Sequence, residues 1–373
     1  MHQNIIRESS IHRSPRVQQV EGIFDVSPEQ KSKRSWQVSL PIEERDWSIG
    51  LIVGPSGCGK TTVARTLFGD KLIAGYDWPE DKSILDGFPK GMSIKEITNY
   101  LSSVGFSSPP SWLRPFHVLS NGEQFRVTMA RILAESQDVA VVDEFTSVVD
   151  RTVAKIGSAA IAKTVRRNKK RLIAVTCHFD VEEWLQPDWV YLPAEGTFHW
   201  RSVQSRPPIE LVINRTSHHA WHLFKHHHYL NADISKSAWC FTAFWEGIPV
   251  AFDAWLPFVG RLKGPLPARR GHRTVVLPDY QGVGIGRALF DHNASMWAGL
   301  GTRVFSNTAH PAEIQSRTRY GNWRCIRAPS FTGKDRRASL NKSRATERLS
   351  ASFEWVGKPM DRELAKFMLE AKA

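Results

Sequence analysis

Cysteine is scarce, with four residues in 373 (Cys58, Cys177, Cys240 and Cys325) and no CxxC pair. That excludes a disulfide framework and a cysteine-rich zinc site as organising devices. Long apolar runs are missing as well. No stretch approaches the roughly 18–20 apolar residues that cross a bilayer. The opening MHQNIIRESSIHRSPR lacks the apolar centre of a secretory signal. These absences lead to the expectation of a reduced, cytoplasmic protein without a membrane span. No internal repeat is present either.

What is present is an ordinary globular balance, 41% hydrophobic and 23% charged, on a chain long enough for two domains. The net charge of +13 is placed unevenly. Residues 1–204 carry about 25 basic and 24 acidic side chains, whereas residues 205–357 carry about 21 and 10. The excess belongs to the second half, and a basic surface attracts polyanions such as DNA or RNA.

Residues 1–15 are polar and are expected to form a flexible N-terminus. RVQQVEGIFDV, SWQVSLPI and WSIGLIV read as three strands bounded by breakers. KEITNYLSSV and EQFRVTMARILAE have helical periodicity, while DVAVVDE and RLIAVTCHF have the pattern of buried strands. QSRPP is a linker sequence. After it, WCFTAFW-EG-IPVAFDAW reads as a hairpin turning at Glu246-Gly247, and HRTVVLP as a strand feeding a Gly-rich loop and the helix RALFDHNASMWAGL.

Gly54, Pro55, Ser56, Gly57, Cys58, Gly59, Lys60 and Thr61 fit the pattern GxxxxGK[ST] directly after the strand GLIV, with Thr62 next. Glycines there let backbone N–H groups surround phosphates at a helix N-terminus. Lys60 is expected to reach the β- and γ-phosphates, and Thr61 to bind magnesium. VAVV followed by Asp143 and Glu144 is an apolar strand ending in two carboxylates. Asp143 is placed to hold magnesium and Glu144 to polarise the attacking water.

Between these motifs lies Leu119-Ser120-Asn121-Gly122-Glu123-Gln124, and with it the chain resembles the ATP-binding cassette (ABC) ATPases, whose signature is LSGGQ-like. Ser147 to Asp150 resembles the D-loop of that family, and His178 its switch histidine. The resemblance implies a homodimer, or pairing with a second ABC protein, with ATP sandwiched between subunits, Ser120, Gly122 and Asp150 acting in trans and Glu144 and His178 serving hydrolysis. The sequence departs from the family in two respects: no glutamine lies between the P-loop and the signature, where Trp78 to Asp81 take the Q-loop's place, and Lys60 and Ser120 are only about 60 residues apart, which leaves a reduced helical subdomain. Those departures argue against a membrane subunit as partner. Phe24 and Trp36 are both candidates for stacking on adenine.

Gln281, Gly282, Val283, Gly284, Ile285, Gly286 and Arg287 resemble the Q/R-x-x-G-x-G/A turn of GNAT acyltransferases, which implies acetyl-CoA held there by its pyrophosphate. Where that family often has a tyrosine acid this sequence has Arg317, with Tyr320 nearby. Asp253 reads as either a base or a surface carboxylate. His218, His222 and His226 would share one helical face, as metal ligands do, yet no carboxylate or cysteine completes a set. Lining an acceptor pocket or binding phosphate is the better reading of the histidines.

The fold expected is thus α/β: a P-loop ABC-type nucleotide-binding domain followed by a GNAT-like α+β acyltransferase domain. The boundaries read as 1–15 flexible, 16–203 ATPase, 204–209 linker, 210–357 GNAT-like and 358–373 a C-terminal helix. The whole chain is similar to a prokaryotic and phage family described as an ABC-type ATPase fused to a predicted acetyltransferase. This resemblance implies ATP-dependent acyl transfer to a nucleic acid or another anionic macromolecule. Two alternatives stand beside it: a nucleic-acid-binding ATPase switch with a non-catalytic GNAT fold, and a transporter ATP-binding subunit.

Overall fold

The computed structural model describes residues 1–25, 31–73, 75–202, 205–228, 233–258, 267–331 and 349–370. The basic run from Lys334 to Arg348 and the first linker residue, Gln204, lie outside them. The first elements in chain order are β1 (His2–Ser10), α1 (Pro15–Phe24), β2 (Lys31–Ser39), β3 (Ile49–Val53), α2 (Lys60–Phe68) and β4 (Leu72–Ile73). There follow α3 (Ile94–Ser103), α4 (Pro109–Trp112), α5 (Asn121–Glu135), β5 (Val139–Val142), α6 (Arg151–Arg167), β6 (Arg171–Thr176), α7 (Glu182–Leu185), β7 (Trp189–Leu192) and β8 (Thr197–Trp200). The second half holds β9 (Val212–Thr216), α8 (Trp221–Phe224), β10 (Trp239–Trp245), β11 (Ile248–Pro257), β12 (Ala268–Val276) and α9 (Ile285–Gly299). It ends with β13 (Arg303–Thr308), α10 (Pro311–Arg319), β14 (Trp323–Phe331), β15 (Leu349–Trp355) and α11 (Arg362–Glu370).

The chain divides into two compact units. One comprises Met1–Gly75, Ser136–Ser147 and Val165–Arg206; the other comprises Tyr76–Glu135, Val148–Thr164 and Pro207–Ala373. The signature segment, expected from sequence in the ATPase half, therefore packs with the second half of the chain.

In the first unit a six-stranded sheet has the order β4-β5-β6-β3-β7-β8, parallel except for the β7–β8 pair. The continuous apolar run Ile49–Val53 makes β3 a central strand, buried throughout, as strands covered on both faces are. Gly50 is required there, because the Trp189 indole occupies the space that a side chain would fill. Ile52, Val141, Ile173 and Trp189 join Val63 and Phe68 of α2 in one core.

Two expectations for the N-terminal region need correction. Residues 2–10, expected to be flexible, form β1, paired antiparallel with β2 from His2↔Ser39 to Ser10↔Lys31. Ile5 of β1 and Val38 of β2 enter the core, so two apolar residues in a polar stretch anchor the ribbon. RVQQVEGIFDV, expected to be a strand, is helical over residues 16–24, within α1. Ser14 accepts a hydrogen bond from Val17 N at 3.4 Å, and Pro15 occupies the first turn. This start signal outweighs the β-branched content of the segment.

The second unit is built on a seven-stranded sheet with the order β14-β15-β13-β12-β11-β10-β9. Its pairs are antiparallel except β12 with β13, which run parallel and are in register only from Ala268↔Arg303 to Arg270↔Phe305. Beyond Arg270, β12 continues beside β11 alone. Glu246 and Gly247 adopt positive φ (52° and 80°), the geometry of a two-residue hairpin turn between β10 and β11. Helix α9 covers the sheet with Phe290, Ala294 and Trp297, which pack on Phe241, Trp255 and Phe353. The histidines expected on one helical face are instead divided among two single 3-10 turns and the short α8. Among the described residues no group of three or more His, Cys, Asp or Glu side chains is arranged to hold a metal, and no helix is long and apolar enough to cross a membrane.

Candidate functional site

The C-terminal ends of β3, β5 and β6 bring the predicted phosphate-site residues to one edge of the parallel sheet. Gly57 and Gly59 take positive φ (79° and 98°), and Gly59 caps the N-terminus of α2. This left-handed backbone is the one that turns successive N–H groups inward. A cavity of about 650 Å³ opens over the turn. Ser56, Gly57, Gly59, Lys60, Thr61 and Thr62 line it, with Asp143, Glu144 and Ser147 from the end of β5 and Val175 to Cys177 from β6. Gly54, Pro55 and Cys58 are not among the lining residues. Pro55 O accepts a hydrogen bond from Lys60 Nζ at 2.9 Å, so the ammonium lies folded over the turn.

Asp143 Oδ1 accepts from Glu144 N at 2.9 Å. Glu144 and Thr146 have positive φ, 51° and 67°. Each such non-glycine residue costs on the order of 1 kcal/mol, a strain that characteristically collects at functional sites. His178 stands one residue beyond the cavity-lining Cys177, its N–H donating to Thr176 Oγ1 at 3.2 Å.

The β1–β2 ribbon supplies cavity walls that the sequence pattern does not reveal. Arg7, Glu8, Ser9, Ser32, Arg34 and Trp36 all face the cavity. Arg7 and Arg34 are directly opposed in register, and Arg34 Nη1 donates to Gly57 O at 2.7 Å. Two opposed arginines repel each other and favour an anion between them. Trp36 Nε1 donates to Cys58 O at 2.8 Å, and its ring lies over Gly59. Of the two aromatic candidates, Trp36 lines the cavity, whereas Phe24 is 70% exposed on α1. Pairing of the ribbon is the missing signal, and it depends on β1, whose sequence reads as flexible.

In the second unit Ser120 begins α5 with a capping box. Glu123 Oε2 accepts from Ser120 N at 3.0 Å and from Ser120 Oγ at 3.2 Å. Gly122 packs close to Val153 of α6, where a methyl would come within 3.3 Å. Asp150 Oδ1 caps α6 by accepting from Thr152 N and Val153 N at 2.9 and 3.0 Å. Where the family's Q-loop would lie, Trp78 stacks on Phe116 at 4.9 Å, and the Arg131 guanidinium covers both Tyr76 and Trp78.

The Gly-rich turn before α9 is held differently from the cradle that its resemblance implies. Gln281 Oε1 accepts from Ser107 N at 2.8 Å, and a methyl on Gly282 would lie 2.8 Å from Gly105 Cα. Val283 and Ile285 are buried, Gly286 packs on Val276, and of the turn's three glycines Gly284 alone has open space beside it. Arg287 covers the Tyr320 ring at 3.8 Å. Arg317 is buried over Phe290 and Trp323, donates to Ser306 Oγ, and pairs with Glu313 at 3.2 Å. A fixed structural cation, it does not stand in for a tyrosine acid.

Asp253 is neither a surface carboxylate nor an accessible base. It is fully buried and accepts from Trp255 Nε1 (2.5 Å), Asn293 Nδ2 (2.8 Å) and Thr274 Oγ1 (2.9 Å). Burial raises its pKa to about 7 despite these donors. The sign of the consequence follows from linkage: between the unfolded carboxylate value near 4 and about 7, the folded chain keeps a proton that the unfolded chain loses. Stability is therefore expected to fall as pH rises through that window and to level off above it. Denaturant melts at pH 5, 6, 7 and 8 should show this slope in the wild type and not in Asp253→Asn; equal slopes would contradict the assignment.

No family model matches the chain. An uncharacterized ABC transporter ATP-binding protein of Methanocaldococcus jannaschii is 27% identical over an alignment of 195 positions that covers 42% of this chain and 69% of that protein. The energy-coupling factor transporter ATP-binding protein EcfA1 of Listeria monocytogenes is 26% identical over an alignment of 202 positions that covers 43% of this chain and 70% of that protein. Among solved structures, the dimeric post-hydrolysis state of the ATP-binding cassette MJ0796 bound to ADP and Pi has 17% identity and a TM-score of 0.35, covering 44% of this chain and 90% of that one.

Proposed function

We propose that this chain, whose P-loop half is an ABC-type ATP-binding cassette, is a dimeric ATPase switch that carries a basic second domain for an anionic macromolecule. The observation that supports the ATPase is the cavity shared by Lys60, Thr61, Asp143 and Glu144. Lys60 leaves Pro55 O to meet the β- and γ-phosphates, while Gly57 and Gly59 offer amides to them. Thr61 and Asp143 have the oxygen donors that suit magnesium, which when bound would neutralise charge between the phosphates. Glu144 orients the attacking water, and His178 steadies the γ-phosphate side. Trp36 stacks on the base. Ser120, Gly122 and Asp150 of a second copy complete the site in trans.

The residues of the Gln281–Arg287 turn do not fit the CoA pyrophosphate. A cradle of that kind needs successive free amides facing open space, but Gln281 N donates to Pro278 O at 3.3 Å, the Gln281 side chain accepts from Ser107 N, and Gly282 lies against Gly105 Cα. The basic excess in residues 205–357 supports DNA or RNA as the partner of the second domain. One observation favours acyl transfer as a second reading: β12 and β13 cease to pair after Arg270↔Phe305, and an extended acyl arm suits the parting of two parallel strands.

Radiolabelled acetyl-CoA separates the two readings. The switch predicts no label on DNA, tRNA or protein with or without ATP, together with ATP-dependent retention of nucleic acid on a filter. Label on any acceptor would establish the second reading instead. The transporter reading predicts copurification with a membrane protein, which the switch does not.

A further inference from the structure

Arg126 lies on the signature helix α5, four residues after Gly122, and is 2% exposed. Its guanidinium donates to three main-chain carbonyls. Nη1 reaches Gly105 O at 2.5 Å and Gln281 O at 3.3 Å, and Nη2 reaches Asp279 O at 3.0 Å. One buried cation thus bonds a loop of the signature segment to a turn more than 150 residues away in sequence, and all of these groups belong to one compact unit.

The contact is built for close approach. A methyl on Gly105 would lie 2.6 Å from Gln281 O, and both Gly105 and Gly282 have positive φ, 87° and 94°. No other residue type suits that backbone and that spacing together. Gln281 adds a second tie, accepting from Ser107 N while donating to Val276 O at the end of β12. The contact also reaches the signature itself: Asp279 Oδ1 lies 3.7 Å from where a methyl on Gly122 would sit. An anion held at Gly122 would stand beside that carboxylate and repel it.

We propose that Arg126 and the Pro278–Gly282 turn form a coupling joint that carries the nucleotide state of the signature into the second domain. In this role Arg126 is a positioning residue, and the turn that resembles a CoA cradle is the docking element of the ATPase's own signature segment. The proposal rests on the ATPase reading. A γ-phosphate engaged by Ser120 and Gly122 of this chain displaces Asp279. Because Asp279 O and Gln281 O share the guanidinium with Gly105 O, the displacement passes along the turn to the end of β12 and the start of α9.

Amide hydrogen exchange of residues 276–287 tests the joint in the Glu144→Gln protein, with and without magnesium ATP, alongside direct measurement of ATP binding and dimerisation. ATP is expected to change exchange there by about threefold or more. Adding Arg126→Met should abolish that change while ATP-dependent dimers still form, and Arg126→Lys should restore part of it. The same exchange response with Arg126→Met would overturn the proposal, as would an ATP-bound Glu144→Gln dimer in which residues 276–287 do not respond. Should Arg126→Met fail to fold, Gln281→Ala decides: a response at least halved supports the joint, and an unchanged one refutes it. A Glu144→Gln protein that binds no ATP defeats the ATPase reading itself, an outcome visible in the parallel binding measurement.

Discussion

Glu144→Gln is expected to lower ATP turnover by roughly 100- to 1,000-fold, within the range that one positioned general base contributes, and to accumulate an ATP-bound dimer. The change removes a charge and a proton acceptor but keeps the shape of the side chain. Binding therefore survives while the water loses its base. Glu144 lines the cavity beside Asp143 in a left-handed backbone conformation, and a glutamine adopts that conformation at similar cost. Light scattering with and without magnesium ATP reads the dimer, and single-turnover kinetics read the chemistry. A variant that turns over like the wild type would remove Glu144 from the mechanism. One that stays monomeric with ATP bound would remove the sandwich.

Lys60→Met has the other large effect, and it acts on binding. The methionine keeps an unbranched stem and loses the ammonium, which now rests 2.9 Å from Pro55 O. A charge-assisted hydrogen bond contributes about 1.5–3 kcal/mol, so ATP affinity should fall by about 10- to 100-fold. Hydrolysis should fall further, since the same ammonium meets charge developing on the γ-phosphate. The fold should hold, because Lys60 makes its contact on the cavity surface. Unchanged affinity, measured by calorimetry, would mean that the phosphates are held elsewhere.

What is legible in the sequence follows from the range of each interaction. The P-loop, the Asp143-Glu144 strand end and the signature are local patterns, and their backbone requirements are written in adjacent residues. The hairpin at Glu246-Gly247 is legible for the same reason. Helix α1 has the β-branched content of a strand, yet Ser14-Pro15 is a local start signal that decides for the helix. The β1–β2 ribbon is not legible, since β1 is polar apart from a few residues and gains its order from a partner strand across the intervening helix.

The second half shows the same limit more sharply. Asp253 sits on a strand in a turn-flanked hairpin and reads equally as a base or a surface carboxylate; its three donors come from Trp255, Thr274 and Asn293, two of them far along the chain. Arg126 reads as an ordinary charged residue in an amphipathic helix. Nothing near it in sequence announces the carbonyls of Asp279 and Gln281. Gly282 stands out in sequence as part of a phosphate-type turn, but what approaches it is Gly105.

Calorimetric titration of the 373-residue chain with magnesium ATP, followed by phosphate release, tests the nucleotide site most directly. The geometry predicts one saturable ATP per chain and slow release of phosphate, both reduced by Lys60→Met. Heat and phosphate signals indistinguishable from buffer in a well-folded sample would contradict it.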